Sequence, residues 1–232
     1  MNFKTRSYQK ELLDEAHIPF LAIKHNMEEL EIINTWLGGH NITLKGFKTL
    51  LENRSKITIC EIGCGGGDNL LAIVKWCRKK NVEVNCVGID MKEACIQVAQ
   101  SRSLLQNISK WVVSDYALVS FDVKPDIVFS SLFCHHFTEV ELVQQLRWMQ
   151  ANCTLGFFIN DLHRHWLAYY SIKWLTKIFS KSYLVKNDAP LSVARGFLLS
   201  EWKALGKTAQ IVGPQVEWKW AFRHLIICKH AG

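Results

Sequence analysis

An α/β fold built on a largely parallel sheet is predicted by three observations. Apolar, β-branched runs alternate with helix-like segments from residue 57 to residue 160. The first run, 57–62, stops in a glycine-rich turn, ITICEIGCGGGD. A segment of helical character, NLLAIVKWCRKK, follows that turn at once. Alternating strands and helices imply right-handed crossovers and a sheet covered on both faces. With 232 residues, 49% of them hydrophobic and only four prolines, the chain can bury a sizeable core, and extended disorder is excluded.

The elements follow in order. Residues 11–16 and 27–37 have helical periodicity, the second ending at Gly38-Gly39. Asn41 or Thr43 is placed to cap a next helix carrying Leu44, Phe47, Leu50 and Leu51 on one face. Strands are expected at 57–62, 82–89, 110–114, in DIVFSSLFCHHF (126–137) and in CTLGFFIND (153–161). A long helical stretch, 163–180, precedes a loop through Asn187-Asp188-Ala189-Pro190 and a short helix over 198–206 that ends at Gly206. The tail 209–230 reads as two strands joined near Gly213-Pro214. These assignments divide the chain into an N-terminal helical cap, 1–54, and one globular unit, 55–232.

Composition narrows the function. The opening MNFKTRSYQKELLDE lacks the apolar core of a secretory signal, and no window resembles a membrane span, so a cytoplasmic location is expected. The eight cysteines are scattered without a CxxC pair, and Cys60, Cys86 and Cys228 sit in apolar strand-like runs. Reduced thiols are expected, and no metal site. The net charge of +7 is dispersed in pairs such as Lys79-Lys80, without the clustered patch that nucleic-acid binding requires.

The glycine turn is specific. Glu61 precedes Gly63, Gly65 and Gly67, so a carboxylate stands where it would repel a pyrophosphate and suit a cationic group. The pattern ExGxGxG resembles motif I of the class I S-adenosylmethionine (SAM) methyltransferases, with every fixed position filled. That resemblance implies a Rossmann-like, seven-stranded, mostly parallel sheet with one antiparallel strand, helices on both faces and an N-terminal helical extension. It implies SAM as cofactor, its methionine end held by Glu61, Gly63, Gly65, Gly67 and Asp68. Asp90 ends the second strand about 20 residues beyond the turn, where a carboxylate accepts both ribose hydroxyls. Met91 is placed against adenine. In the family an acidic residue after the third strand takes the adenine amino group, which points to Asp115 with Tyr116. Ser131, with Ser130, stands where the motif IV strand passes the methionine portion. Added N-terminal helices in this class commonly close over the cofactor, which offers Asn34, Trp36 and Gly38 to its amino-acid end.

Methyl transfer is a direct displacement that needs alignment and often a base. Residues after strands four and five lie at the ligand end of such a sheet. His163 is the leading base candidate, with His136 the other, and Arg164 is placed to stabilise an acceptor anion. Trp166, Tyr170, Trp174 and Ile178 recur every four residues beside Lys173, Lys177 and Lys181, a pattern that fits a core-facing helix, a lid, or weak peripheral membrane contact.

Over its length the chain also resembles a bacterial group found beside type III polyketide synthases and flavin hydroxylases, through INTWLGGH, NDLHRHWLAYYSIKWL, DAPLSVARGF and VEWKWAFRHLIIC. That resemblance implies O-methylation of a phenolic or quinol acceptor and gives Arg195, Trp220 and Arg223 places in the substrate pocket. Alternatives are C-methylation of a quinone precursor, RNA methylation, for which the Asn/Asp-Pro-Pro-Tyr/Phe motif is missing at residues 130–133, and a non-catalytic SAM-binding protein.

Overall fold

The computed structural model describes residues 2–230. A seven-stranded sheet of order β3-β2-β1-β4-β5-β7-β6 forms its centre. Its strands are β1 (Lys56–Ile62), β2 (Glu83–Asp90), β3 (Ser109–Val113), β4 (Ile127–Ser131), β5 (Gly156–Leu162), β6 (Gln215–Lys219) and β7 (Arg223–Lys229). β7 alone is reversed, pairing antiparallel with β5 and with β6, while the remaining pairings are parallel. The chain winds outward from β1 to β3 and then returns to β4 beside β1. This switch opens a crevice at the carboxyl ends of β1 and β4.

The helices are α1 (Phe20–Trp36), α2 (Gly39–Leu51), α3 (Asp68–Lys79), α4 (Glu93–Gln100), α5 (Glu139–Ala151), α6 (Trp166–Phe179), α7 (Tyr183–Arg195) and α8 (Leu199–Ala209). Successive side chains of a strand point to opposite faces, so the sheet feeds two core layers. Ile57, Ile59, Phe129, Phe158, Leu225 and Ile227 pack with Phe47 and Leu50 of α2 and Leu70, Ile73 and Val74 of α3. Cys60, Ile62, Val128, Phe157, Ile159 and Ile226 pack with Leu142, Leu146 and Met149 of α5 and Trp202 and Leu205 of α8. All eight cysteines are buried and free.

Several expected boundaries are corrected. Residues 11–16 form only one 3-10 turn, Leu12–Asp14, because Asp188 accepts the Leu12 and Leu13 amides at 2.8 and 2.9 Å. The cap of α2 is Gly38 at φ +75°, which reverses the chain between α1 and α2, and Asn41 and Thr43 lie within the helix. Residues 187–190 are not a loop: Pro190 lies inside α7, whose start is capped by Ser182 and whose Leu184, Val185, Leu191 and Val193 are buried. Burial of that apolar face outweighs the backbone hydrogen bond that proline forfeits. Helix α8 passes through Gly206 and ends at Gln210, φ +62°. The last two strands turn at residues 220–222, where Lys219 pairs with Arg223, and Gly213-Pro214 lead into β6.

Candidate active site

Three residues of positive φ turn the chain from β1 into α3: Gly63 at +64°, Gly65 at +50° and Gly67 at +71°. A Cβ on Gly63 would lie 2.1 Å from the Phe133 ring, so the turn also needs glycine for space. The turn is fastened to β2 by Asp90, which accepts the amides of Gly65 at 2.9 Å and Lys92 at 2.8 Å. Burial raises the Asp90 carboxyl above its ordinary value despite those bonds. Asp68 opens α3 and accepts from Asn34 at 2.9 Å, with His40 Nε2 at 2.7 Å, which ties α1 and α2 to the turn.

A cavity of about 1220 Å³ opens over this turn. Glu61, Gly63, Gly65, Asp68, Asp90, Met91, Asp115, Tyr116 and Ser131 line it. Asp115 accepts the Ala117 amide at 3.0 Å and so caps the 3-10 turn that presents Tyr116. Tyr116 is packed edge-on against Phe133, Phe137 and Trp148. Ser131 Oγ accepts from Asn160 Nδ2 at 3.3 Å. The other lobe is apolar, walled by Ile33, Leu37, Leu162, Ala168, Ile172 and Phe222.

The polar atoms left without a partner describe what the first lobe receives. Glu61 Oε2, Asn34 Oδ1 and the Nε and Nη1 of Arg223 are buried and unpaired among the described residues. Burial, then the neighbouring charges of Asp68 and Asp90, pushes the Glu61 carboxyl well above its ordinary value. Burial lowers the Arg223 guanidinium to about 10. A buried carboxyl and a buried guanidinium with unpaired nitrogens, both lining one cavity, complement an ammonium and a carboxylate, the two groups of an amino-acid head.

A second cluster joins the N-terminal segment to the ends of β4 and β5. His135 Nδ1 lies 2.8 Å from Asp161 Oδ1, and its Nε2 lies 3.5 Å from Glu11 Oε1. His136 Nδ1 lies 3.2 Å from Asp14 Oδ1, and its Nε2 stands 3.7 Å from Glu11 Oε2, beyond hydrogen-bond range. Burial opposes charge on His135, but Asp161 and Glu11 outweigh it and raise the ring to about 9. Burial would raise the Glu11 and Asp161 carboxyls, yet the imidazoles hold both below their ordinary values. Arg195 donates to the carbonyls of His135 (3.0 Å), His136 (2.8 Å) and Gln9 (2.7 Å). Arg6 donates to those of His135 (3.2 Å) and Phe137 (3.0 Å). Glu11, His135 and His136 each bring a ligand atom within 4.8 Å of the others, spacing that would admit a divalent cation. A proton on His135, together with Arg6 and Arg195, balances the three carboxylates without one.

Five sequence-based expectations are corrected. His163 does not line the cavity. Its Nδ1 accepts from Trp218 Nε1 at 3.0 Å and its ring lies 4.9 Å from that of His224. Burial, and then His224, lowers it to about 4. Arg164 is buried away from the cavity, holding Glu201 through two contacts of 2.7 and 3.0 Å and the carbonyls of Phe3, Lys4 and Gly196. Gly67 caps α3, and a Cβ there would meet Trp111 and Ala99. Trp36 is exposed and Gly38 faces open space; at 100° per residue, α1 turns Asn34 into the cavity and Trp36 away from it. Helix α6 is capped by His165, which accepts the Leu167 amide at 3.2 Å.

Glu11 and Asp14 were not found from sequence, where they resemble the exposed face of a short helix. Their only signal is proximity to the apolar Leu12-Leu13 pair. Arg195, Trp220 and Arg223 also line the cavity.

Residues 59–154 match the family model described as a methyltransferase domain. The matched segment and the sheet topology are similar to those of class I methyltransferases, the class that draws its methyl group from SAM. Among relatives, the chain is 26% identical over 147 residues to the mitochondrial ubiquinone biosynthesis O-methyltransferase of Saccharomyces cerevisiae. That match covers 61% of this chain and 44% of the yeast protein, so the chain spans less than half of its length. The fold is similar to that of the plantazolicin methyltransferase BpumL in complex with a pentazolic desmethylPZN analog and SAH (TM-score 0.66, 17% identity, 90% of each chain). It is also similar to human N-acetylserotonin methyltransferase in complex with SAM (TM-score 0.63, 12% identity, 92% of this chain and 57% of that one).

Proposed function

We propose that this chain methylates an oxygen of a small phenolic or quinol acceptor, with His136 as the base. The observation that carries this reading is that one cavity joins the motif I turn to the Glu11–His136–Asp14 cluster and to an apolar lobe. The curated relative, named for O-methylation in ubiquinone biosynthesis, supports the same acceptor class.

SAM, when bound, supplies a methyl group on a positively charged sulfur. Glu61 takes its ammonium, Arg223 its carboxylate, Asp90 its ribose hydroxyls, and Asp115 with Tyr116 and Met91 the adenine end. Asp14 accepts the Nδ1 proton of His136, which fixes the tautomer whose Nε2 is free to take the acceptor's proton. The Glu11 carboxylate stabilises the imidazolium that forms. Arg195 and Arg6 hold the two-histidine turn by its carbonyls, so the ring is placed before the acceptor arrives. The apolar lobe excludes water and accepts a ring or alkyl substituent.

The test is transfer of label from methyl-labelled SAM into an extract of the source cells, split into organic-soluble molecules and RNA. Label should enter the organic fraction with the native protein and fall to background with His136→Ala. Label in RNA, or organic label indifferent to His136, would overturn the assignment.

A further inference from the structure

We propose that α6 is an in-plane docking surface for an anionic lipid bilayer. Only Ala168, Ile172 and Thr176 of this helix are buried. Trp166, Leu167, Tyr170, Trp174, Leu175, Ile178 and Phe179 are exposed, Ile178 at 65% and Phe179 at 76%. Seven large apolar side chains on one surface helix exceed the scattered exposure that ordinary solubility explains. Fourteen residues span about 21 Å, and no helix among the described residues is long and apolar enough to cross a membrane, so the helix suits lying on a bilayer.

Charge selects the occupant. From Trp166 to Asn187 the chain holds four lysines, at 173, 177, 181 and 186, and no acidic residue. Lys177 sits 5.6 Å above the Trp174 ring and Lys173 5.9 Å above that of Tyr169, so the cationic heads stay at the level of the amphipathic aromatics. Tryptophan, tyrosine and lysine at one depth match the headgroup region of an anionic leaflet. Glu29 of α1, a carboxylate at the C-terminal end of α6, is occupied by the Lys181 and Ser182 amides and Ser180 Oγ. A second copy of this chain would bring the same lysines against each other, and like charges oppose that pairing.

The position of the helix gives the docking a use. Ala168, Ser171, Ile172 and Leu175 of α6 line the cavity, and Leu175 is also 43% exposed. The helix is therefore both cavity wall and outer face. Trp220, 69% exposed, lines the cavity from the β6–β7 turn, and Trp36 is exposed at the end of α1, whose Ile33 and Leu37 pack under α6. A bilayer on this face would meet the rim of the apolar lobe.

The experiment is co-sedimentation of the full chain with vesicles of phosphatidylcholine alone or mixed with phosphatidylglycerol. It is independent of the methyl acceptor, so failure here leaves the proposed activity standing. Binding to the mixed vesicles and little to the neutral ones is expected. Trp174→Glu with Ile178→Glu should abolish it, both positions being exposed, and circular dichroism checks that the variant folds. Lys173→Ala with Lys177→Ala and Lys181→Ala should lower partitioning on the order of 100-fold, about fivefold per lysine. No binding to either vesicle, or binding indifferent to Trp174→Glu and Ile178→Glu, overturns the proposal. A dimer in solution that those substitutions dissociate, without vesicle binding, also overturns it in favour of a second copy.

Discussion

Replacing Arg223 with Met should weaken cofactor binding and, at the same time, raise the melting temperature of the ligand-free protein. Arg223 is 2% exposed, and its Nε and Nη1 have no hydrogen-bond partner among the described residues. Burial draws the guanidinium well below its ordinary value, to about 10, against the pull of Asp161 and Asp68. At 1.36 kcal/mol per pH unit, that drop corresponds to about 3 kcal/mol held against the ligand-free fold. Met is apolar and of similar length, so the substitution returns up to that amount. For a chain of this size, 1 kcal/mol moves Tm by about 2–4 °C, which sets a ceiling of about 6–12 °C on the rise. A hydrogen-bonded contact to a charged group contributes about 1.5–3 kcal/mol, so affinity should fall about 10- to 150-fold. Calorimetry with S-adenosylhomocysteine reads the second effect, and a thermal melt without ligand reads the first. Unchanged affinity, or a melt lowered as by an ordinary core substitution, would refute the reasoning that an anionic group belongs on Arg223.

Four further outcomes are expected. Asp14→Asn should reduce methyl transfer about 100-fold, at the lower end of what a general base contributes, while S-adenosylhomocysteine affinity stays within a few fold; equal losses in both would remove Asp14 from the proton path. The Glu61 carboxyl is raised by burial, so it should lose a proton when the cationic cofactor head arrives, and affinity should rise with pH above the ordinary carboxylate range. Calorimetric heats that do not depend on the buffer's protonation enthalpy would contradict this. Arg164→Met should destabilise the fold by about 3–5 kcal/mol in urea titrations, because it strips a partner from Glu201 and from three carbonyls, with activity at low temperature retained. Finally, His163 is lowered to about 4 in the fold and is ordinary when unfolded. Its contribution is whole above about pH 6.5 and is lost as pH falls towards 4, so His163→Gln should flatten the acid side of the stability profile measured by urea midpoints.

The motif I turn was legible because everything it needs is local: a strand, glycines at positive φ, and a helix start within about a dozen residues. The places of Asp90 and Asp115 were legible for a related reason, since Asp90 ends β2 and Asp115 follows β3 by two residues, and both strands follow from the alternation of elements. The orientation of the histidines was not legible, because adjacency in the chain does not say which way a ring points. His163 and His136 both follow a strand, yet one turns toward Trp218 and the other into the cavity beside Glu11. Pro190 and Gly206 were misread as breaks because tertiary burial held their helices together.

By itself, then, the sequence determined the sheet, its winding and the glycine turn with its carboxylates, since those depend on residue periodicity and backbone sterics over short spans. Only the tertiary structure decided which side chains meet. It carried the N-terminal segment across the cavity, so that Glu11 and Asp14 reach histidines more than a hundred residues away. It buried Arg223 with its Nε and Nη1 unpaired among the described residues and left the apolar face of α6 outside. These outcomes follow from how elements pack and from which charges burial leaves unpaired, quantities that no local pattern encodes.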